Sequence, residues 1–193
     1  SSPAALIADD VAAAAADDAP AEGAVPEPEA GEDKAADAGS GDVVEEHGDL
    51  GGGIARVTIA KPEKFNTMTL RTVDQMFRAF YHANHDPTLG AIIVAGAGKH
   101  FGVGGDVDWE RWGLREAFYF RYPHNRLIRT SRKPVLAQVQ GYCLGGHNHM
   151  AYCCDFTIAA DDASFGQAGP KVSSPADGFF VPYLANGVGA TKA

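Results

Sequence analysis

The sequence predicts an α/β domain over residues 43–193, behind an acidic, alanine-rich tail over residues 1–42 that is expected to be disordered. Three observations lead there. Apolar runs of strand length alternate with amphipathic helical stretches from Val43 onward, the pattern of strands covered by helices. Glycine clusters stand at two strand-to-helix junctions, Gly96–Asp106 and Gly141–Gly146. Finally, residues 1–50 hold 14 of the 25 acidic residues, one base (Lys34) and no aromatic residue. With so little to bury, that stretch cannot offset the entropy of ordering, and runs such as Ala12–Ala16 would be helical only transiently. It reads as a solvated linker.

Val43–Glu46 and Ile54–Ile59 are expected as strands, with Gly51-Gly52-Gly53 as the turn between them. Val57 and Ile59 alternate with Arg56 and Thr58, giving one buried face. Lys61-Pro62 ends the second strand. A helix follows from Thr69 to about Asn84, capped by Thr69 or Thr67, with Leu70, Val73, Met76, Phe77 and Phe80 as its core stripe. Ala91–Ala95 is a continuous apolar run, as in a central strand covered on both faces. Beyond the first glycine loop a helix is expected from about Val107, interrupted near Tyr122-Pro123 and resuming through Leu127 and Ile128. A buried strand, Val135–Val139, leads into the second glycine turn and a short helix starting near His147. Strands at Phe156–Ala160 and Ser164–Gly166 come next. A turn over 167–177 and a helix from Gly178, broken by Gly187 and Gly189, complete the order. The sequence stops at Ala193, where that helix is expected to continue, so the domain reads as truncated at its C-terminus.

Chemistry concentrates at the second junction, Pro134–Phe156. A strand–glycine–helix turn aims free backbone N–H groups, and the positive end of the helix dipole, at whatever lies above it. Such a turn can cradle a phosphate or hold the oxygen of a reacting thioester. A phosphate loop carries Gly-Lys-Ser/Thr, whereas this turn reads Gly146-His147-Asn148. The thioester reading therefore leads, provided a second N–H comes from elsewhere. Cys143, Cys153 and Cys154 form no Cys-x-x-Cys and fall in the most apolar part of the chain, as expected of reduced core thiols. No apolar run is long enough to cross a bilayer and no secretory or transit pattern opens the chain. The expected location is cytoplasmic, without a membrane partner. After the tail, residues 51–193 carry 15 bases and 11 acids. That small excess suits a phosphorylated ligand, and no nucleic-acid partner is expected. His147 and His149 project to different sides of their helix, so no shared metal site is expected.

Five segments, in order, carry a resemblance: Lys61-Pro-Glu-Lys-Phe-Asn66, His100-Phe-Gly-Val-Gly-Gly-Asp106, Lys133-Pro-Val-Leu-Ala-Gln-Val-Gln-Gly-Tyr-Cys-Leu-Gly-Gly146, Cys154-Asp-Phe-Thr-Ile-Ala-Ala160 and Phe165-Gly-Gln167. Together, over roughly residues 43–193, they resemble the crotonase (enoyl-CoA hydratase/isomerase) superfamily. Gly169-Pro-Lys171 is most similar to its dihydroxynaphthoyl-CoA synthase and oxocyclohexane-carboxyl-CoA hydrolase branch. The resemblance implies a crotonase-like spiral of ββα units, a bent acyl-CoA and an oxyanion hole whose two N–H donors fall on Gly105 and Gly146. Lys64, Phe65, Thr67 and Asp106 fall where the family contacts CoA. CoA would enter as part of the substrate, and no permanently bound cofactor or metal is expected. Full-length members form homotrimers or hexamers through final helices that would follow Ala193, so that assembly is not expected of this chain alone.

The departures bear on the reaction. Hydratases of the family use two glutamates, whose positions here are His149 and Gly169, so syn-hydration by that acid pair is not supported. Asp177 matches the catalytic aspartate of dienoyl-CoA isomerase and chlorobenzoyl-CoA dehalogenase, while the naphthoyl synthase branch places its aspartate at Ala176 and its serine at Ser174. Asp177 is either the acid/base or an N-cap of the last helix. His149 is either a proton carrier in the acyl pocket or a buried, hydrogen-bonded histidine. His124 and Tyr119 are candidates for the pocket wall. The expected function is acyl-CoA enolate chemistry. The alternative is a non-catalytic CoA-binding or interaction module of the same fold, or an inactive fragment.

Overall fold

A computed structural model describes residues 42–47, 52–106, 123–167 and 181–189, all within one compact unit, Gly41–Ala193. Strands β1 (Val43–His47), β2 (Ile54–Ile59), β3 (Ala91–Gly96), β4 (Val135–Val139) and β6 (Phe156–Ala159) form a sheet in the order β1-β2-β3-β4-β6. β1 runs antiparallel to β2, and the other neighbours are parallel. A second, two-stranded parallel sheet pairs β5 (Tyr142–Leu144) with β7 (Ser164–Gly166). Helices α1 (Leu70–His85), α2 (Pro123–Arg129), α3 (Gly146–Cys153) and α4 (Val181–Val188) complete the order. Among the described residues no helix is long and apolar enough to cross a membrane.

The inner face of the main sheet is built by alternation. Ala55, Val57, Ile59, Ile92, Val94, Val135, Ala137 and Val139 are buried and pack with Met76 and Phe80 of α1 and Met150 of α3. Burying Met76 or Phe80 contributes roughly 1.5–3 kcal/mol each. Thr69 caps α1, accepting from the Thr72 N–H at 3.3 Å while Thr72 Oγ1 accepts from the Thr69 N–H at 3.2 Å. Asp42, assigned to the tail by composition, anchors this corner. Its carboxylate accepts from Thr72 Oγ1 at 2.9 Å and pairs with Lys61 at 3.4 Å.

Four expectations change. The buried face of α1 is Thr72, Met76, Ala79, Phe80 and Ala83, while Leu70 is 54% exposed and Phe77 half-buried against Tyr81. The stripe turns towards small residues because the sheet lies close against that side. β3 is buried on its inner face but only partly on its outer one: Ala95 is buried there, while Ile93 is half-buried in a row with Arg56, Leu136 and the exposed Phe156. The second glycine turn contains a strand, β5, and α3 begins at Gly146. Gly187 lies inside α4, and it is Gly189, at φ +84°, that follows the helix end. The helix expected from Val107 lies outside the described residues.

Candidate active site

Two segments meet above the carboxyl ends of β3 and β4. Gly102 is held to β5 by its N–H to Tyr142 O (2.9 Å) and by Leu144 N–H to its own carbonyl (2.9 Å). Three residues on, the chain is held to the segment before α1: Met68 N–H donates to Gly104 O and Asp106 N–H to Met68 O, both at 2.9 Å. These bonds straddle Gly105, whose own N–H has no backbone acceptor among the described residues. Gly146, the first residue of α3, is in the same position, because helix geometry supplies no acceptor there. Gly104, at φ +104°, turns the chain between the two anchors, and a Cβ on it would lie 3.3 Å from Gly146 N. Covalent geometry puts Gly105 N at most about 3.7 Å from that Cβ position, so the Gly105 and Gly146 nitrogens lie within about 7 Å of each other.

α3 is buried along its first turns. His147, 0% exposed, uses Nδ1 to accept the Gly104 N–H at 3.0 Å, and its ring meets Phe101 edge-on at 5.7 Å. Burial, then the neighbouring His124, holds its pKa down to about 3. Burial alone does the same to His124 on α2, again to about 3. His149 is buried too, and its Nε2 lies 2.5 Å from Gln167 Nε2, so the Gln167 amide is its hydrogen-bond partner. The three cysteines are free and buried, and burial raises the pKa of each, Cys153 to about 12. They are core thiols, without the thiolate character a nucleophile needs.

Three of the four residues matched to CoA contacts lie on the turn after β2, and the fourth, Asp106, on the glycine loop after β3. Lys64 ends a 3-10 turn, Pro62–Lys64, with its side chain exposed. Phe65, in the left-handed region at φ +52°, is 42% exposed and stacks on His100 at 5.4 Å. His100 stacks in turn on Tyr142 at 4.4 Å. Thr67 is half-buried and its Oγ1 has no hydrogen-bond partner among the described residues. Asp106 is half-buried beside Gly105. The turn is pinned by Asn66, fully buried. Its Nδ2 donates to Ala97 O (2.9 Å) and His100 O (2.8 Å), and its Oδ1 accepts from Lys61 N–H (2.9 Å).

Of the residues singled out from the sequence, the structure thus brings Gly105, Asp106, Gly146 and His149 together, with Lys64, Phe65 and Thr67 on the adjoining turn. Asp177, Ser174, Ala176, Gly169 and Tyr119 lie outside the described residues. Sequence reasoning assigned no role to the hydrogen bonds of His147, Gln167 and Asn66. Asn66 and Gln167 stood inside quoted segments, which was their one signal. His147 had none beyond its place after two glycines.

Fold and site together define an enzyme family. Residues 49–193 match the family model Enoyl-CoA hydratase/isomerase, and the chain belongs to that family, with a mixed α/β crotonase-like fold. The structure is similar to an enoyl-CoA hydratase from Mycobacterium avium subsp. paratuberculosis K-10: TM-score 0.71, 26% identity, 80% of this chain and 62% of that one. It is also similar to an enoyl-CoA hydratase from Thermoplasma volcanium GSS1 (TM-score 0.69, 29% identity, 79% and 63%). A third is an enoyl-CoA hydratase/carnithine racemase from Magnetospirillum magneticum (TM-score 0.68, 25% identity, 78% and 57%). The matched part spans about three fifths of each of these chains.

Proposed function

We propose that this protein transforms an acyl-CoA by stabilising charge on the thioester oxygen with the N–H groups of Gly105 and Gly146. One observation carries the reading: these two amides, from separate loops, lack backbone acceptors among the described residues yet lie within about 7 Å of each other. An enolate or tetrahedral oxyanion holds more charge on that oxygen than the ground-state thioester does. Two fixed donors therefore favour the transition state over the substrate, by on the order of 3 kcal/mol per donor. Lys64, Phe65, Thr67 and Asp106 contact the CoA moiety, which arrives with the substrate. Asp177 is the acid or base. His149 assists in the proton transfer.

Gly169-Pro-Lys171 and the absence of both hydratase glutamates favour the dihydroxynaphthoyl-CoA synthase and oxocyclohexane-carboxyl-CoA hydrolase branch. The reaction is then carbon–carbon bond formation or cleavage on a cyclic oxo-acyl-CoA, in the cytoplasm, with homotrimers or hexamers as the assembly of full-length members of the family. The test is mass spectrometry of products from an acyl-CoA panel. Asp177→Asn abolishes turnover and leaves acyl-CoA binding nearly unchanged; normal activity in that variant removes Asp177 from the mechanism. A second reading, CoA binding without catalysis, is favoured by the burial of His149 and its hydrogen bond to Gln167 where hydratases carry a glutamate. Thermal stabilisation by acyl-CoA with no product from any of the panel would select it.

A further inference from the structure

Two donors on separate loops serve one oxygen only if something sets one loop against the other. Backbone ladders hold residue 102 to β5 and residue 105 to Met68, and the turn at Gly104 lies between these anchors. At that turn the Gly104 N–H meets the imidazole Nδ1 of a residue 43 positions away. Both ends of this bond are next to a donor: Gly104 precedes Gly105, and His147 follows Gly146. We propose that His147 is a positioning residue, whose ring accepts the Gly104 N–H and thereby sets the Gly105 and Gly146 N–H groups in register. The inference rests on the acyl-CoA reading and deepens it.

The surroundings are built for this ring. A Cβ on Gly102 would lie 2.2 Å from both Cδ2 and Nε2 of His147, so the imidazole occupies the space a side chain there would need. Phe101 closes a second side, edge-on. Accepting at Nδ1 requires a neutral ring with its proton on Nε2, and that buried Nε2 has no hydrogen-bond partner among the described residues. Burial keeps the ring neutral across the working range of pH. An apolar side chain would fill the same volume without burying an unpartnered N–H. The imidazole is accounted for by what Nδ1 does.

The experiment compares His147→Leu, which fills the space without an acceptor, with His147→Asn, whose Oδ1 stands about where Nδ1 does. In the full chain, kcat and KM are measured with an acyl-CoA turned over by the wild type, and amide exchange at Gly104 is followed by NMR. The expected result for Leu is kcat lowered roughly 10- to 100-fold, KM within about twofold, and faster Gly104 exchange. Asn restores both. Unchanged kcat in Leu, unchanged exchange at Gly104, or an Asn variant no better than Leu each overturns the proposal. If the Leu variant does not fold, the same pair of measurements on His147→Ala decides. A wild type that turns over no acyl-CoA sinks the acyl-CoA reading instead, and the exchange measurement alone then decides whether the ring holds the loop.

Discussion

The two sides of the candidate site are held in opposite ways. On one side, Gly102–Asp106 against the start of α3, main chain meets main chain: a Cβ on Gly104 would lie only 3.3 Å from Gly146 N, and the His147 side chain that bonds Gly104 is fully buried. On the other side, the turn over residues 61–67 stands at the surface with Lys64 and Phe65 exposed, and Asn66 is its one fully buried residue. The contrast suits the proposed acyl-CoA chemistry. Donors that act on developing charge lose their effect with displacements of an ångström. Groups that meet a long, flexible ligand need only be brought to the surface within its reach.

Acid should break this contrast most severely, because it acts on the buried side. His147 and His124 are held to about 3 by burial, against about 6.5 in the unfolded chain. With the folded value depressed, the unfolded chain binds more protons between those two values. Stability is therefore fully present above about pH 6.5 and is lost as pH falls towards 3. Lowering pH from 7 to 5 is expected to cost roughly 2 kcal/mol for each histidine. Urea denaturation at both values measures it, and His147→Asn should remove one share of the loss. An identical pH dependence in that variant would contradict the burial of a neutral His147. His100, on the exposed side, is lowered by burial and by Lys99 but is opposed by Asp162, so it should matter less.

Gly102→Ala comes next. Its methyl would meet His147 at 2.2 Å, and the ring is not free to yield, being bonded through Nδ1 and backed by Phe101. Overpacking of this kind costs roughly 1–3 kcal/mol. Adding His147→Gly should relieve the clash, so that the double variant is more stable than the sum of its parts predicts. Simple additivity would place the ring elsewhere.

What could be read from the sequence divides along the same line. β2 was legible through the alternation of Ala55–Ile59, β3 through its continuous apolar run and α1 through helical spacing. Gly105 and Gly146 were legible through their glycine contexts and the order of the five segments. β5 was not: three residues between Gly141 and Gly145 cannot display a period. The exposure of Leu70 was hidden because Ala79 and Ala83, small but buried, define the packed side of α1 more than the large residues do. The His147 bond to Gly104 has no local signature at all, since a side chain and a peptide 43 residues apart are related only by the fold.

The exposed side should respond weakly and differently. Asn66→Ala removes three donations and one acceptance, leaving the carbonyls of Ala97, His100 and Phe101 without this partner. A loss of roughly 2 kcal/mol is expected, read by denaturation, with acyl-CoA affinity falling because the turn is released. Lys64→Ala is the smallest perturbation. Its side chain is exposed on a 3-10 turn, so stability should stay within about 0.5 kcal/mol of the parent. A single exposed charge facing a CoA phosphate contributes at most about 1 kcal/mol, so affinity should fall roughly two- to five-fold at low salt. That difference should vanish at high salt, where exposed charges are screened, while the turnover number stays unchanged. Titration calorimetry at two ionic strengths reads the first and steady-state kinetics the second. A Lys64 variant with lowered kcat would mean that the surface turn takes part in the chemical step, and the division between the two sides of the site would not hold.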